Sequence, residues 1–502
     1  MHQYSQWRIR IIESKFGLGL VTETPKGTYR MAGNQMTEAD VIVLGVGTCG
    51  EDLSLQLLDA GLSVIGLEAS LVGGECAYWA CIPSKMMIRA ANILQEGRRT
   101  EGVAGHADVR AEWAQVAKRI TTEATGGWDD SFAVERFESR GGRIIHGRGK
   151  LAGPRTVTVG DETLTAKIGV VIATGSQPAI PPIDGLDSVD YWTTHDVISA
   201  EELPESLIVL GGGPIGCELG QVLSRFGVRV TIVEAAGRLL PGEEPEASDS
   251  LAMAFEGEGI DVKTGDLVVT VDSSGGDIEI VLASGEKLSA NKMLVATGRK
   301  VDLTGLGLES VGLPTAGFIE VDERMHAADG LWAMGDMTGK AMFTHVAVYQ
   351  SGIIAADILK KEHAPARYDA VPRAVFTDPE VGSVGITEAQ AREQGLDVEV
   401  AVKRTPYTFR GWLDMSMTGA IKVIADRKSG VLLGASASGP RASEILGLLT
   451  FAVHTRAKLD DLRSMIYAFP TFYGGVGEAI GAYALGVQTV LDPEFEGLQP
   501  IS

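Results

Sequence analysis

Short apolar runs that stop at glycine set the rhythm of this chain. Val41-Ile42-Val43-Leu44 runs into Gly45-Val46-Gly47-Thr48-Cys49-Gly50, and Leu207-Ile208-Val209-Leu210 runs into Gly211-Gly212-Gly213-Pro214-Ile215-Gly216. An unbroken apolar run bounded by turn residues predicts a strand buried on both faces, as in a parallel sheet. Each copy then reads helix, second strand and acid, ending at Glu68 in the first and Glu234 in the second. The copies match without a gap, Gly61 against Gly227 and Val64 against Val230. Further strands are expected at Arg143–Gly147, Arg155–Val159 and Gly169–Ile172, the last ending in Ala173-Thr174-Gly175. Lys292–Val295 repeats that ending as Ala296-Thr297-Gly298-Arg299, and Leu331–Met334 ends in Gly335-Asp336. Between them, Val103–Arg140 carries apolar residues at helical spacing.

This pattern predicts an α/β protein with two Rossmann-like units. In each glycine string the first glycine permits a tight turn, the second lets a pyrophosphate approach the backbone, and the third lets helix and strand pack closely. The following helix N-terminus favours the phosphate charge, and the acid accepts from a ribose. One such string is a weak signal. Two, each with its strand before and its acid after, point to two dinucleotide sites formed around Gly45, Gly47, Gly50 and Glu68 and around Gly211, Gly213, Gly216 and Glu234.

Length and charge narrow the class. A chain of 502 residues is expected to form about three domains. Its net charge of −22 argues against nucleic acid or an anionic membrane as partner. No apolar stretch reaches the roughly 18–20 residues that span a bilayer. Residues 1–35 show no sustained periodicity and no signal-peptide core, and are expected to be a flexible arm, or a start placed upstream of the folded part. Only four cysteines occur, too few for a disulfide scaffold. A single redox pair in the reducing cytoplasm fits better.

That pair is Cys76 and Cys81, in Gly73-Gly74-Glu75-Cys76-Ala77-Tyr78-Trp79-Ala80-Cys81-Ile82-Pro83-Ser84-Lys85. No second pair completes a zinc site, so no metal centre is expected. An ideal helix would turn the two sulfurs apart by about 140°, so a bond between them needs a distorted turn. Pro83, without an N–H, is expected to supply one. Two buried structural cysteines are the plain alternative. Lys85 falls one helical turn after Cys81 and would place a cation beside the dithiol.

These motifs, in this order, resemble the pyridine nucleotide–disulfide oxidoreductases, which include dihydrolipoamide dehydrogenase, glutathione reductase and mercuric reductase. The resemblance runs from about Asp40 to Val490. It implies an FAD-binding part at 36–183 and 300–365, an NAD(P)-binding part at 184–299, a C-terminal α+β dimerisation domain at 366–490 opening at Val371–Glu380, and a tail at 491–502. It also implies FAD at the first repeat, with Glu68 on its ribose, Asp336 after Gly335 on its ribityl chain, and Ala173, Thr174 and Gly175 alongside. NAD(P)H is implied at the second repeat with Gly298 beside it, and a homodimer as the assembly. By the same resemblance Cys81 faces the flavin, Cys76 attacks the acceptor, and Lys85 pairs with Glu218 near the flavin. Glu234 disfavours a 2′-phosphate, so NADH is expected over NADPH, although Arg238 lies close by.

The chain departs from the family at its C-terminal acid/base. Phe469-Pro470-Thr471 stands where a histidine-proline-threonine is usual, and Gly474 where a glutamate orients that histidine. His454, on an expected helix, reads as a packing or surface residue. Tyr467 and Tyr473 would be poor bases near neutral pH. Tyr78 and Trp79 are expected to narrow access to the disulfide or to offer a flat surface to a ring-shaped acceptor. There is no C-terminal cysteine pair of the mercuric reductase kind after Cys217. The expected function is therefore an FAD-dependent NAD(P)H oxidoreductase of the disulfide-reductase type acting on a small disulfide or another acceptor. The alternatives are a diaphorase-like reductase of quinones or metal ions, and a non-catalytic redox-sensing flavoprotein.

Overall fold

The computed structural model describes residues 36–484. The expected arm at 1–35 and tail at 491–502 lie outside the described residues.

Strand Glu38–Leu44 is the centre of the first sheet. It runs parallel to Val64–Glu68 on one side and to Glu162–Ile172 on the other. Leu331–Ala333 and Arg143–His146 extend the sheet in parallel beyond these two. Val41, Ile42 and Val43 are fully buried, which is why their run is continuous rather than alternating. The register sets Leu44 beside Leu67 and Ile172, and Ile172 beside Ala333. The strands therefore finish along one edge, and the first glycine turn, Ala173-Thr174-Gly175 and Gly335-Asp336 all follow there. Chain order reverses about the central strand, which opens a crevice at that edge.

The second unit repeats the plan. Ser206–Leu210 runs parallel between Arg229–Glu234 and Lys292–Val295, with Asp261–Thr264 outermost. A three-stranded antiparallel sheet, Val268–Ser274, Asp277–Leu282 and Lys287–Ala290, follows before the chain returns.

A five-stranded antiparallel sheet forms the C-terminal part, in the order Arg373–Val375, Glu380–Gly385, Leu432–Gly439, Ala420–Asp426, Val398–Arg404. The segment expected to open this part as one strand, Val371–Glu380, is divided by a turn at Thr377-Asp378-Pro379. Helix Ala442–His454 buries Ile445, Leu446 and Leu449 against the sheet.

Buried ion pairs join this sheet to the second unit. Lys422 reaches Glu244 at 2.8 Å, Glu388 at 2.9 Å and Glu246 at 3.1 Å, with its side chain only 5% exposed. Burial alone would favour loss of its proton, but hydrogen bonds to Glu244 and Glu388 outweigh that and hold its pKa above the ordinary lysine value. Arg225 is likewise buried between Glu258 at 2.6 Å and Asp378 at 2.8 Å, and Arg373 meets Glu243 at 2.9 Å. Removing one partner of a buried pair leaves the other charge unpaired. Lys422→Ala should therefore destabilise the protein by about 3–5 kcal/mol. Thermal or denaturant unfolding checks this, and an unchanged midpoint would contradict it.

Candidate active site

The two glycine turns are the same object at atomic detail. A Cβ on Gly45 would lie 2.5 Å from the Ala173 carbonyl oxygen, and one on Gly211 would lie 2.5 Å from that of Ala296. A Cβ on Gly50 would meet the Gly45 carbonyl at 2.0 Å, and one on Gly216 the Gly211 carbonyl at 1.9 Å. The middle glycines face space. Nothing lies within 4 Å of a Cβ on Gly213, and the nearest atom to one on Gly47 is Gly74 Cα at 3.8 Å. Gly47 and Gly213 head the helices Thr48–Asp59 and Pro214–Arg225, and neither helix has a side-chain N-cap. Free N–H groups at an open glycine turn suit a pyrophosphate.

Each acid braces its own turn. Glu68 accepts from the N–H groups of Val46 and Ser70, both at 2.8 Å. Glu234 accepts from Gly212 at 2.6 Å and Ala236 at 2.7 Å. Burial raises the Glu68 pKa, with the Ser70 and Val46 hydrogen bonds pulling the other way. Each carboxylate oxygen keeps lone pairs for a ribose hydroxyl. Gly175 and Gly298, with φ of +71° and +120°, have nothing within 4 Å of a Cβ, so both strand ends are open. Gly335, with φ +72°, lies beside the first turn, where a Cβ would stand 3.5 Å from Ala347 Cβ and 3.7 Å from Cys49 Sγ.

The dithiol loop is stitched to the first turn. Gly73 N–H donates to the Val46 carbonyl at 2.8 Å. A Cβ on Gly74 would meet Gly47 Cα at 2.7 Å. From there a one-turn helix, Gly74–Tyr78, carries Cys76, and a longer helix, Cys81–Arg98, starts at Cys81. Cys76 and Cys81 form a disulfide with Cα atoms 4.6 Å apart. The distortion that lets the sulfurs meet is the break at Trp79-Ala80, where Ala80 has φ −141° and ψ −97°. Pro83 lies within the first turn of the second helix, where its missing N–H costs nothing. Tyr78 is buried. Trp79 stacks on His195 at 4.5 Å and on Trp128 at 5.4 Å, so both rings serve the packing of the loop.

Because helix resumes at Cys81, Lys85 falls on the same face one turn later. Its Nζ is 2.7 Å from Glu218 Oε2. Glu218 lies on the helix that begins at the second glycine turn, so this pair joins the dithiol helix to the second dinucleotide unit. Phe376 completes the cluster, its N–H donating to Glu218 Oε1 at 2.8 Å and its ring 4.9 Å from Lys85 Nζ. Thr344, heading helix Thr344–Ile358, lies 3.4 Å from Cys81 Sγ. The sulfur carries no proton in the disulfide, so the hydroxyl is the donor. Asp336 accepts from Ser176, whose hydroxyl in turn accepts from Arg299 Nε at 2.7 Å. Sequence reasoning missed Thr344, Ser176 and His195, and read Arg299 only as part of a strand ending. The adjacency of Glu75 to Cys76 was the one available signal.

The remaining candidates lie apart. Burial pushes the Cys49 thiol up to about 12 and raises Cys217 as well, so neither supplies a thiolate at neutral pH. His454 is an exposed residue at the end of its helix. Burial, with Tyr473 nearby, pushes Tyr467 up to about 12, and its hydroxyl donates to the Leu462 carbonyl. Phe469 is 74% exposed and packs edge to face on Phe409 at 5.1 Å. Among the described residues no His, Cys, Asp and Glu cluster suits a metal ion, and no helix is long and apolar enough to cross a membrane.

Residues 39–351 match the family Pyridine nucleotide-disulphide oxidoreductase, and residues 371–480 match its dimerisation domain. A dihydrolipoyl dehydrogenase of Thermus scotoductus is 33% identical over 463 residues, spanning 89% of this chain and 98% of its own. A mercuric reductase of Bacillus cereus is 30% identical over 449 residues, spanning 88% of this chain and 71% of its own. Among solved structures, the Cu(II) complex of the HOCl-induced flavoprotein disulfide reductase RclA from Escherichia coli superposes with a TM-score of 0.78. It is 26% identical and covers 88% of this chain and 99% of its own. Matched in both of its parts, and related at this level across most of its length, the chain belongs to the pyridine nucleotide-disulphide oxidoreductases.

Proposed function

We propose that this enzyme draws electrons from NADH and passes them by way of FAD to the Cys76–Cys81 disulfide, and on to an acceptor that needs no C-terminal histidine. The family is FAD-binding and pyridine-nucleotide dependent. The observation that carries the reading is the Cys76–Cys81 disulfide heading a helix whose next turn holds Lys85 paired with Glu218.

The residues fit both nucleotides. Gly45, Gly47 and Gly50 and the uncapped helix after them take the FAD pyrophosphate, Glu68 the ribose and Asp336 the ribityl chain, with Ala173, Thr174 and Gly175 lining the crevice. Gly211, Gly213, Gly216, Glu234 and Gly298 do the same for the pyridine nucleotide. Bound FAD supplies the two-electron exchange between nicotinamide and sulfur. The domain division at 36–183, 184–299, 300–365 and 366–490 is proposed on the two parallel sheets that carry these residues and the C-terminal sheet after them.

Thiol–disulfide exchange needs a thiolate, and nearby positive charge and hydrogen-bond donors favour one. Lys85 supplies the charge on the Cys81 face, and Thr344 supplies a hydroxyl to Cys81 itself. Cys76 is then the outer thiol that meets the acceptor. Cys76→Ser should keep, and Cys81→Ser should lose, the long-wavelength charge-transfer absorbance between Cys81 thiolate and bound FAD in the reduced enzyme. The opposite pattern would reverse the assignment.

NADH is the favoured donor because Glu234 ends the second strand of its unit, and a carboxylate there disfavours a 2′-phosphate. The Nη2 of Arg238 is engaged by the carbonyls of Pro241 and Glu243 at 2.9 Å and 3.0 Å, which turns it toward its own loop. Glu234 also braces the glycine turn, so Glu234→Gln is the cleaner variant. It should narrow the NADH-over-NADPH ratio by about fivefold, the ~1 kcal/mol between two charges 4 Å apart in water. Stopped-flow reduction with each nucleotide checks this, and a preference for NADPH in the unmodified enzyme contradicts it.

The working assembly is a homodimer, in keeping with the dimerisation domain. That domain exposes Tyr407, Phe409, Trp412, Met417 and Phe469, apolar side chains a second copy would cover. The setting is the cytoplasm, as the single redox pair suggests.

Phe469 transfers no proton, which favours an acceptor other than lipoamide. A second reading, a diaphorase-like reductase of quinones or metal ions, rests on the same residue. An acceptor screen with lipoamide, small disulfides, quinones and Hg(II) tests both. Phe469→His should raise lipoamide turnover at least about tenfold while leaving reduction by NADH unchanged, since general acid–base catalysis is worth ~10²–10⁴-fold. A Cβ at Gly474 would lie 3.2 Å from Thr471 Oγ1, so the first atom of a Gly474→Glu side chain needs Thr471 to give slightly, and Phe469→His is measured alone as well. Lipoamide rates of an ordinary dihydrolipoyl dehydrogenase in the unmodified protein would show that Phe469 does not disable the chemistry.

A further inference from the structure

One side chain outside the cysteine motif grips the dithiol loop at two points. Glu75 immediately precedes Cys76, and Trp79 lies two residues before Cys81. His195 engages both. Its Nε2 is 2.7 Å from Glu75 Oε1, and its ring stacks on the Trp79 indole with centroids 4.5 Å and planes 13° apart. The other Glu75 oxygen accepts from Arg299 Nη2 at 3.2 Å. Burial alone would raise the Glu75 pKa, but the His195 hydrogen bond and the Arg299 charge outweigh it and hold the carboxyl below its usual range. An ionised carboxylate only accepts, so His195 Nε2 carries the proton in this contact.

His195 and Arg299 both sit where the chain crosses between the two parallel sheets. Arg299–Lys300 pairs with Gln177–Pro178 in a two-stranded crossing. His195 follows Trp192, which bridges to Leu294 on the strand leading to that crossing. The carboxylate beside Cys76 is thereby anchored to two segments that belong to neither half of the loop.

We propose that His195 is a positioning residue for the dithiol, holding Cys76 over Cys81 once their bond is broken. This rests on the reading of Cys76–Cys81 as the redox pair. In the oxidised state the S–S bond itself spans the break at Trp79-Ala80. Reduction by two electrons, supplied from NADH, with uptake of one proton, breaks that bond and leaves a thiol at Cys76 and a thiolate at Cys81. Only the main chain then joins the two cysteines across the break. The grip of His195 on Glu75 and Trp79 keeps the sulfurs near each other. It raises their effective concentration for re-forming the bond when an acceptor withdraws the electrons.

The test is the disulfide–dithiol equilibrium of the FAD-loaded enzyme in glutathione redox buffers, read by mass spectrometry after alkylation of free thiols. His195 has a side chain 39% exposed, so its replacement leaves no sealed cavity. His195→Leu should shift the equilibrium toward the dithiol by about tenfold, because loosening two positioned groups lowers their effective concentration. His195→Gln, which keeps a donor for Glu75 but no ring, should fall between the two. Glu75→Gln should shift it in the same direction. NADH-driven reduction of ferricyanide, which bypasses the thiols, should stay within about twofold of the parent, as expected for a group acting only on the loop. A parent-like equilibrium in a His195→Leu protein that retains FAD overturns the proposal. If that variant does not fold, a parent-like equilibrium in Glu75→Gln overturns it instead. An equal loss of ferricyanide and thiol activity would mark a general structural role and also overturn it. Failure of Cys76 and Cys81 to interconvert in the unmodified enzyme would instead remove the redox-pair reading on which it rests.

Discussion

The active-site frame depends on backbone packing so close that no side chain could stand between. A Cβ on Gly45 would lie 2.5 Å from the Ala173 carbonyl oxygen, and one on Gly74 would lie 2.7 Å from Gly47 Cα. The first contact sets a strand end flush against the turn. The second lays the dithiol loop on the same turn. Together they place the phosphate-binding backbone, the polar end of the crevice and the two sulfurs in one arrangement. Substitution at Gly45 or Gly74 would move main chain rather than a flexible side chain, and everything above it would shift.

Much of this frame is legible in the sequence because its grammar is local. Strand, glycine turn, helix, strand and acid follow one another within one supersecondary unit. The repeat shows the same unit twice, down to which N–H groups each acid accepts. Other parts carry no such mark. His195 meets Glu75 across 120 residues, Arg299 meets it across 224, and Thr344 meets Cys81 across 263. No periodicity links residues so far apart, because their meeting is decided by how whole sheets pack. The distortion between the cysteines was foreseeable from their spacing, but its place was not. Proline is tolerated in a first helical turn, so the break formed upstream of Pro83, at Trp79-Ala80.

The chemistry around the sulfurs is divided unevenly. A cation and a hydroxyl attend Cys81 from two different elements, and Glu218 ties that cation to the start of the interface sheet through Phe376. In the C-terminal part Phe469 is aromatic and Tyr467 is held in its protonated form by burial. On the proposed reading, this arrangement would favour the thiolate and leave proton delivery to solvent or to the acceptor.

The buried pairs of Lys422, Arg225 and Arg373 have a consequence for how such a protein can be rebuilt. By chain order, the second parallel sheet looks like a cassette inserted between two halves of the first. By charge, it is fastened to a sheet that comes later, through ion pairs that run in both directions, Lys422 and Arg373 onto its carboxylates and its own Arg225 onto Asp378. A recombinant that exchanged the cassette alone would confront Lys422 with a foreign surface and strand its charge in a dry interface. The unit of exchange, in the laboratory or by gene fusion, is the nucleotide sheet together with the C-terminal sheet, and its natural seam is the pair of crossings at Gln177–Pro178 and Arg299–Lys300.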